Sequence, residues 1–186
     1  VEDFDDDGYQ EVAVVLGGSP GSLMIFRNDQ SGGLGTQDVY ALGNEPAGIA
    51  AGDFDDDGDV DLAVSNFADD TVDILRNDGT GSFVADATPL AVGAGPLGLG
   101  ARDLDLNGTS DLLVCCSDER EIQIYSGASL RGSRAPSQKI PTDGKPGSID
   151  PADYDKEKGG DVGATTEDPG MLLTMSVNST NGQLSG

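Results

Sequence analysis

The chain has 186 residues, 34 acidic against 10 basic, no histidine and no tryptophan, for a formal charge of −24. That balance, with no basic stripe, argues against a nucleic-acid partner, and the lack of any long apolar run excludes a transmembrane helix. Glycine (28) and proline (9) are frequent and aromatics few, which fits many short strands joined by tight turns.

Near its start the chain reads Asp3-Phe4-Asp5-Asp6-Asp7-Gly8-Tyr9-Gln10-Glu11. The pattern returns every 50 residues, as Asp53-Phe54-Asp55-Asp56-Asp57-Gly58-Asp59-Val60-Asp61 and as Asp103-Leu104-Asp105-Leu106-Asn107-Gly108-Thr109-Ser110-Asp111. A fourth copy, Asp153-Tyr154-Asp155-Lys156-Glu157-Lys158-Gly159-Gly160-Asp161, keeps the interval. Oxygen-bearing side chains stand at positions 1, 3, 5 and 9 of each nine-residue stretch. Alternate residues of a tight loop point inward, and the glycine at position 6 lets the backbone turn without a Cβ clash.

Such a ring of oxygens suits a hard cation, and calcium takes about six to eight oxygens at roughly 2.3–2.6 Å in irregular geometry. One stretch alone is as readily a polar turn; four in constant phase are not. The candidate ligands are Asp3, Asp5, Asp7 and Glu11; Asp53, Asp55, Asp57 and Asp61; Asp103, Asp105, Asn107 and Asp111; and Asp153, Asp155, Glu157 and Asp161. Repeat 4 departs from the pattern, because Glu157 has a longer arm and Lys158 replaces the glycine. These positions hold nearly half of the acidic residues. Without a cation, self-repulsion within each loop should loosen the fold. An EF-hand or dockerin loop needs an acid at position 12; Val14, Val64, Val114 and Ala164 stand there, which excludes both.

Each loop leads into a short apolar run: Val12-Ala13-Val14-Val15, Leu62-Ala63-Val64, Leu112-Leu113-Val114-Cys115 and the weaker Val162-Gly163-Ala164. Apolar residues on both alternating faces predict strands buried on both sides. A second strand follows at Leu23–Phe26, Thr71–Leu75, Glu121–Tyr125 and Met171–Met175. Arg27-Asn28-Asp29 and Arg76-Asn77-Asp78-Gly79 read as hairpin turns. A third, less regular strand is expected near Val39–Leu42 and Ala87–Val92. A small-residue strand then precedes the next loop, as in Gly48-Ile49-Ala50-Ala51-Gly52, with Pro46, Pro96 and Pro146 spaced 50 apart. Small residues belong where strands converge on an axis.

Four antiparallel strands per 50 residues, with both sheet faces buried, describe an all-β propeller of four-stranded blades. The segment Ile49-Ala50-Ala51-Gly52-Asp53-Phe54-Asp55-Asp56-Asp57-Gly58 through Leu62-Ala63-Val64, with Asn77-Asp78-Gly79-Thr80-Gly81-Ser82-Phe83, resembles the FG-GAP/VCBS repeat. This is the bacterial relative of the integrin α-subunit propeller. The resemblance covers almost the whole chain and is most specific in repeat 2. It implies calcium held at positions 1, 3, 5 and 9 and by the backbone carbonyl of position 7, that is of Tyr9, Asp59, Thr109 and Gly159. It also implies rings of about seven blades. The present repeats divide as 1–50, which lacks its first strand, 51–100, 101–150 and a shortened 151–186. A partial propeller of about four blades is the expectation, with further blades from the same or another chain.

Without histidine, Ser/His and Cys/His nucleophilic sites and the usual Cys/His zinc sites are excluded. A glycosidase carboxylate pair would have to come from acids that the calcium reading already uses. Cys115 and Cys116 are adjacent at a strand end and read as two small core residues, with a vicinal disulfide as the alternative. Asn178-Ser179-Thr180 and Asn107-Gly108-Thr109 match the glycosylation pattern, although Asn107 is better explained as a ligand.

The chain therefore reads as a calcium-stabilised, non-catalytic binding or structural module of a secreted or cell-surface protein. Its protein or glycan partner would meet the face opposite the calcium loops, around Asn66–Asp70, Asp118–Arg120 and Gly43–Pro46, where Phe67 and Arg120 are the candidate anchors. The alternatives are an accessory propeller of a larger secreted enzyme and a lectin-like carbohydrate binder. Millimolar calcium outside cells would keep such loops filled.

Overall fold

The structure is a computed structural model that describes residues 1–152, 161–166, 172–178 and 183–185. It is built from four antiparallel sheets. The first contains β1 (Val12–Leu16), β2 (Ser22–Asn28) and β3 (Leu34–Ala41). In the second, β4 (Pro46–Gly52), β5 (Asp61–Asn66), β6 (Thr71–Asn77) and β7 (Phe83–Ala85) follow in order, and the short β8 (Leu90–Ala91) also pairs with β6. The third holds β9 (Pro96–Arg102), β10 (Asp111–Cys116), β11 (Glu121–Tyr125) and β12 (Gln138–Pro141). The fourth holds β13 (Pro146–Ala152), β14 (Asp161–Thr166), β15 (Leu172–Asn178) and β16 (Gln183–Ser185). A sheet begins at each of Pro46, Pro96 and Pro146, a few residues ahead of the repeat boundaries counted from the loops. The repeat was phased on its loop, whereas a sheet starts at its inner strand.

Period-2 alternation explains how the sheets stack. In β5, Leu62 and Val64 join a core with Leu23, Ile25 and Leu42 of the first repeat, while Ala63 faces Leu112 and Val114 of the third sheet. In β10, Leu112, Val114 and Cys116 face the second sheet, and Leu113 and Cys115 pack with Ile149, Val162 and Ala164 of the fourth. Every residue of β5 and β10 is buried. The cores thus lie between sheets packed face to face, as in the blades of a propeller. β1 differs from the expectation, because its residues are only half-buried or exposed. Its one strand partner among the described residues is β2, so one edge lacks the neighbour that shields β5 and β10.

The inner strands β4, β9 and β13 approach one another as the small-residue pattern predicted. A Cβ on Gly48 would collide with the Leu97 carbonyl oxygen, and one on Gly98 would lie 2.8 Å from the Gly147 carbonyl oxygen. The buried Ser65 hydroxyl accepts from the Gly48 amide (2.8 Å) and donates to the Leu97 carbonyl (2.7 Å), joining β4, β5 and β9.

Other differences are local. Arg27-Asn28 and Arg76-Asn77 end strands, and the turns lie beyond them, closed by Asp29 N–H to Gly33 O (3.1 Å) and Asp78 N–H to Ser82 O (3.1 Å). The third strand of repeat 2 is broken, with Asp86–Pro89 between β7 and β8. Repeat 3 inserts a short helix, α1 (Gly127–Arg131), capped by the Ser126 hydroxyl, before β12. Its single turn is too short for a 3.6 period to show. Cys115 and Cys116 are free thiols buried on opposite faces of β10, so the core reading holds and the disulfide does not; burial pushes both up to about 12.

Gly48→Ala is expected to destabilise the chain by about 2 kcal/mol through overpacking at the axis. Gly17→Ala, exposed with open space around its Cβ, should stay within about 0.5 kcal/mol of wild type. Urea denaturation of both variants checks the contrast.

Candidate metal centres

Each loop is nailed down at its second residue. Phe4, Phe54 and Leu104 are buried between sheets, in three different cores. The backbone N–H of each donates to the acid at position 9: Phe4 to Glu11 Oε2 (2.9 Å), Phe54 to Asp61 Oδ2 (3.2 Å) and Leu104 to Asp111 Oδ2 (3.0 Å). The other oxygen of each acid accepts from the backbone at or just beyond the end of the second strand: Asn28 N–H (3.4 Å), Asn77 N–H (2.9 Å) and Gly127 N–H (3.1 Å). These three acids are almost wholly buried. Burial pushes the Asp111 carboxyl up to about 6, against the pull of the Leu104 and Gly127 amides, and raises Asp61 as well.

The acid at position 1 shapes the loop. Asp3 accepts from Asp7 and Gly8 N–H (3.2 and 2.9 Å), Asp53 from Asp56 and Gly58 N–H (2.6 and 3.1 Å), and Asp103 from Asn107 and Gly108 N–H (3.0 and 2.8 Å). Position 5 ties position 7: the Tyr9, Asp59 and Thr109 amides donate to Asp7, Asp57 and Asn107 at 2.8, 3.0 and 2.9 Å. Gly8, Gly58 and Gly108 have φ of 90°, 95° and 96°, with open space where a Cβ would stand, so conformation rather than crowding calls for glycine. Position 4 is also left-handed, at Asp6, Asp56 and Leu106 (φ 56°, 70° and 59°).

Three groups of carboxylates result, each with ligand oxygens within 4.8 Å of one another: Asp3, Asp5 and Glu11; Asp53, Asp55 and Asp57; Asp103, Asp105 and Asp111. Each can hold a metal ion. Asp7 and Asp61 stand outside their groups. Asp153, Asp155, Glu157 and Gly159 of the fourth loop lie outside the described residues, as does the Asp161 side chain.

The donors fit a hard cation. Asp5 Oδ1 and Asp55 Oδ1, at position 3, are buried and accept no hydrogen bond. Burial and the Asp61 charge push the Asp55 carboxyl up to about 6, although Arg76 opposes them. An uncompensated carboxylate oxygen there carries a cost that a bound cation would remove.

Residues read earlier as mere turns also build the sites. Arg76 Nη1 lies 2.9 Å from Asp61 Oδ2 and 3.8 Å from Asp55 Oδ2, and its Nε 3.4 Å from Asp86 Oδ1. Arg27 bonds Asp38 (2.9 Å) and the carbonyls of Thr80 and Gly81 in the next sheet's hairpin (3.0 and 2.7 Å). Asn77 donates to the carbonyls of Phe4 (2.8 Å) and Val60 (3.1 Å), which links the first two loops. The recurrence of Arg-Asn-Asp after the second strand was the available signal. α1 adds a cleft of about 520 Å³ lined by Asp55, Arg76, Asp86, Leu130, Arg131 and Arg134, with Arg134 paired to Asp86 at 2.9 Å.

At the other end of the sheets the expected loops meet. Asn44 N–H donates to Asp69 Oδ2 (2.7 Å), Gly95 N–H to Asp70 Oδ1 (2.9 Å), and Lys145 pairs with Asp118 (2.5 Å). Phe67 is half-buried and Arg120 exposed.

The FG-GAP-like repeat matches residues 3–64 and again 53–114, each match spanning two of these loops. The chain belongs to the FG-GAP-like repeat family. No curated protein matches it. Among solved structures, hydrazine synthase of Kuenenia stuttgartiensis is similar at 14% identity and a TM-score of 0.59, over 92% of this chain and 47% of that one. BBS1N, solved in complex with ARL6DN, is similar at 16% identity and a TM-score of 0.62, over 98% and 52%. Such distant likeness concerns the fold, which is propeller-like in these neighbours, and the FG-GAP-like chain spans about half their length. No helix among the described residues is long and apolar enough to cross a membrane.

Leu106 is 58% exposed yet holds a left-handed backbone that disfavours a side chain of its kind. Leu106→Asn is expected to stabilise the chain by up to about 1 kcal/mol, read as a raised melting temperature in chelator.

Proposed function

We propose that the chain is a calcium-stabilised propeller module of a secreted or cell-surface protein, with a binding or structural role and no catalysis of its own. The observation that carries this is the threefold convergence of carboxylates, with one buried oxygen of Asp5 and one of Asp55 left without a hydrogen-bond partner. Positions 1 and 3 supply Asp3 and Asp5, Asp53 and Asp55, Asp103 and Asp105 as ligands, and the carbonyls of Tyr9, Asp59 and Thr109 are assigned to the same ions. The fourth loop, where Glu157 and Lys158 break the pattern, is left out of this assignment. Calcium bound in the first three loops neutralises clustered charge. The chain's own residues do the rest: Phe4, Phe54 and Leu104 anchor each loop, and the position-9 acids fasten it to the second strand.

All-oxygen donor sets and irregular nine-residue loops favour calcium over magnesium, which demands near-ideal octahedral geometry. Extracellular calcium is abundant enough to fill sites of modest affinity, which supports the proposed location. The loops around Asn44, Asp69, Asp118 and Arg120 form the proposed surface for a protein or glycan partner, held rigid by the sheets.

Calcium is expected to raise the melting temperature of the chain, each filled site adding about 2.7 kcal/mol at a hundred times its dissociation constant. Asp55→Ala or Asp105→Ala should reduce that gain. A melt that is the same in millimolar calcium and in chelator would refute the structural role of the metal.

A further inference from the structure

The same arginine meets different neighbours in successive repeats. Arg27 and Arg76 both stand near the end of the second strand of their sheets, 3.7 Å from Asp5 and 3.8 Å from Asp55. The guanidinium of Arg27 is filled from the next sheet, where Nη1 and Nη2 donate to the hairpin carbonyls of Thr80 (3.0 Å) and Gly81 (2.7 Å). Arg76 finds no such hairpin. In repeat 3 Ser126 takes the place of the arginine, and α1 with the residues up to Ser137 replaces the tight turn. Arg76 Nε and Nη1 donate to Asp86 (3.4 Å) and Asp61 (2.9 Å), but Nη2 has no hydrogen-bond partner among the described residues. Instead of two carbonyls, Arg76 faces the cleft of about 520 Å³ that it lines together with α1.

Two more guanidiniums reach that cleft. Arg134 has a left-handed backbone (φ 54°), held by the bond from its amide to the Ser129 carbonyl (2.9 Å), and its side chain donates to Asp86 and to the Thr88 carbonyl. Such a conformation in a bulky residue costs energy and persists where its surroundings hold it. Arg131 is exposed and makes no hydrogen bond among the described residues; its Nη1 stands 3.8 Å from Asp56. Three of the six arginines of a chain with charge −24 thus line one cleft, beside the buried Leu130.

We propose that this cleft binds an organic carboxylate, whose two oxygens take the donors of Arg76 Nη2 and Arg131 that backbone carbonyls leave unfilled here. A guanidinium pairs with a planar carboxylate through two parallel hydrogen bonds. Asp55 and Asp86 on the same walls disfavour a phosphate dianion and leave a place for a single negative charge. The cleft needs no bound metal for this, and it lies at the other end of the sheets from the loops around Asn44 and Asp118.

The test is an NMR titration of the 186-residue chain in millimolar calcium with N-acetylalanine and with glucuronate, following the arginine Nε–H signals. One probe carries the carboxylate as a peptide acid and the other as a sugar acid, so the tighter of the two assigns its source. Saturable shifts of the Arg76, Arg131 and Arg134 signals are expected, and none with glucose, which lacks the carboxylate. Arg131→Gln, at an exposed position, should weaken binding about tenfold or more, while Arg120→Gln at the other end of the sheets should leave it unchanged. The proposal is overturned by the absence of a saturable shift with either acid, or by the same shifts in sodium chloride of equal ionic strength. Undiminished affinity in Arg131→Gln would overturn it as well, since a carboxylate held by a metal ion alone would survive that change.

Discussion

The structure depends on a carboxylate buried at the ninth position of each loop. Glu11, Asp61 and Asp111 are among the least accessible groups in the chain, where an unpartnered charge would cost several kcal/mol. Each is offset by two backbone amides, one from the apolar anchor of its own loop and one at or just beyond the end of the second strand. A single side chain therefore fixes the height of the loop, the seating of the anchor between two sheets and the start of the following hairpin. Charge-assisted hydrogen bonds of this kind are directional as well as strong, so the chain's own backbone places the loop.

The anchors turn that local constraint into architecture. Phe4 packs edge-on to Phe83 of the second sheet, with ring centroids 5.3 Å apart. Phe54 joins the core shared with the third sheet, and Leu104 the one shared with the fourth. Each loop is thereby stapled to the sheet that follows. Arg27, Asn77 and Arg134 add polar links in the same belt, so neighbouring loops cannot shift independently. At the axis, Gly48 and Gly98 let inner strands approach to a distance that any side chain would forbid.

The clustering of carboxylates is the other face of this arrangement. With the ninth acid engaged by backbone, the acids at positions 1 and 3 lie close together, and Asp5 and Asp55 each keep one buried oxygen without a hydrogen-bond partner while a guanidinium stands 3.7 and 3.8 Å from the other. Among the described residues, the opposite end of the sheets has no such group. There Asn44, Asp69, Asp70 and Lys145 knit the connections between sheets together. One end of the blades thus gathers carboxylates into groups, and the other is a frame of exposed loops.

The fourfold recurrence at 50 residues, the alternation in Leu62-Ala63-Val64 and the glycine-rich inner strands determined the sheet order, the stacking and the place of the loops. These features are periodic, and periodicity survives in one dimension. It also identified the oxygens at positions 1 and 3 as convergent, since the spacing within a tight loop leaves them little choice. Which further carboxylate joins them was decided in three dimensions. Asp57 and Asp61 have the same chemistry, yet only Asp61 is buried and held by the guanidinium of Arg76, from a strand end 15 residues beyond it. The half-buried state of β1, the break around Pro89 and the single turn of α1 were likewise set by neighbours or by local geometry too short to leave a period. Pattern determines what repeats; contact determines how the repeats differ.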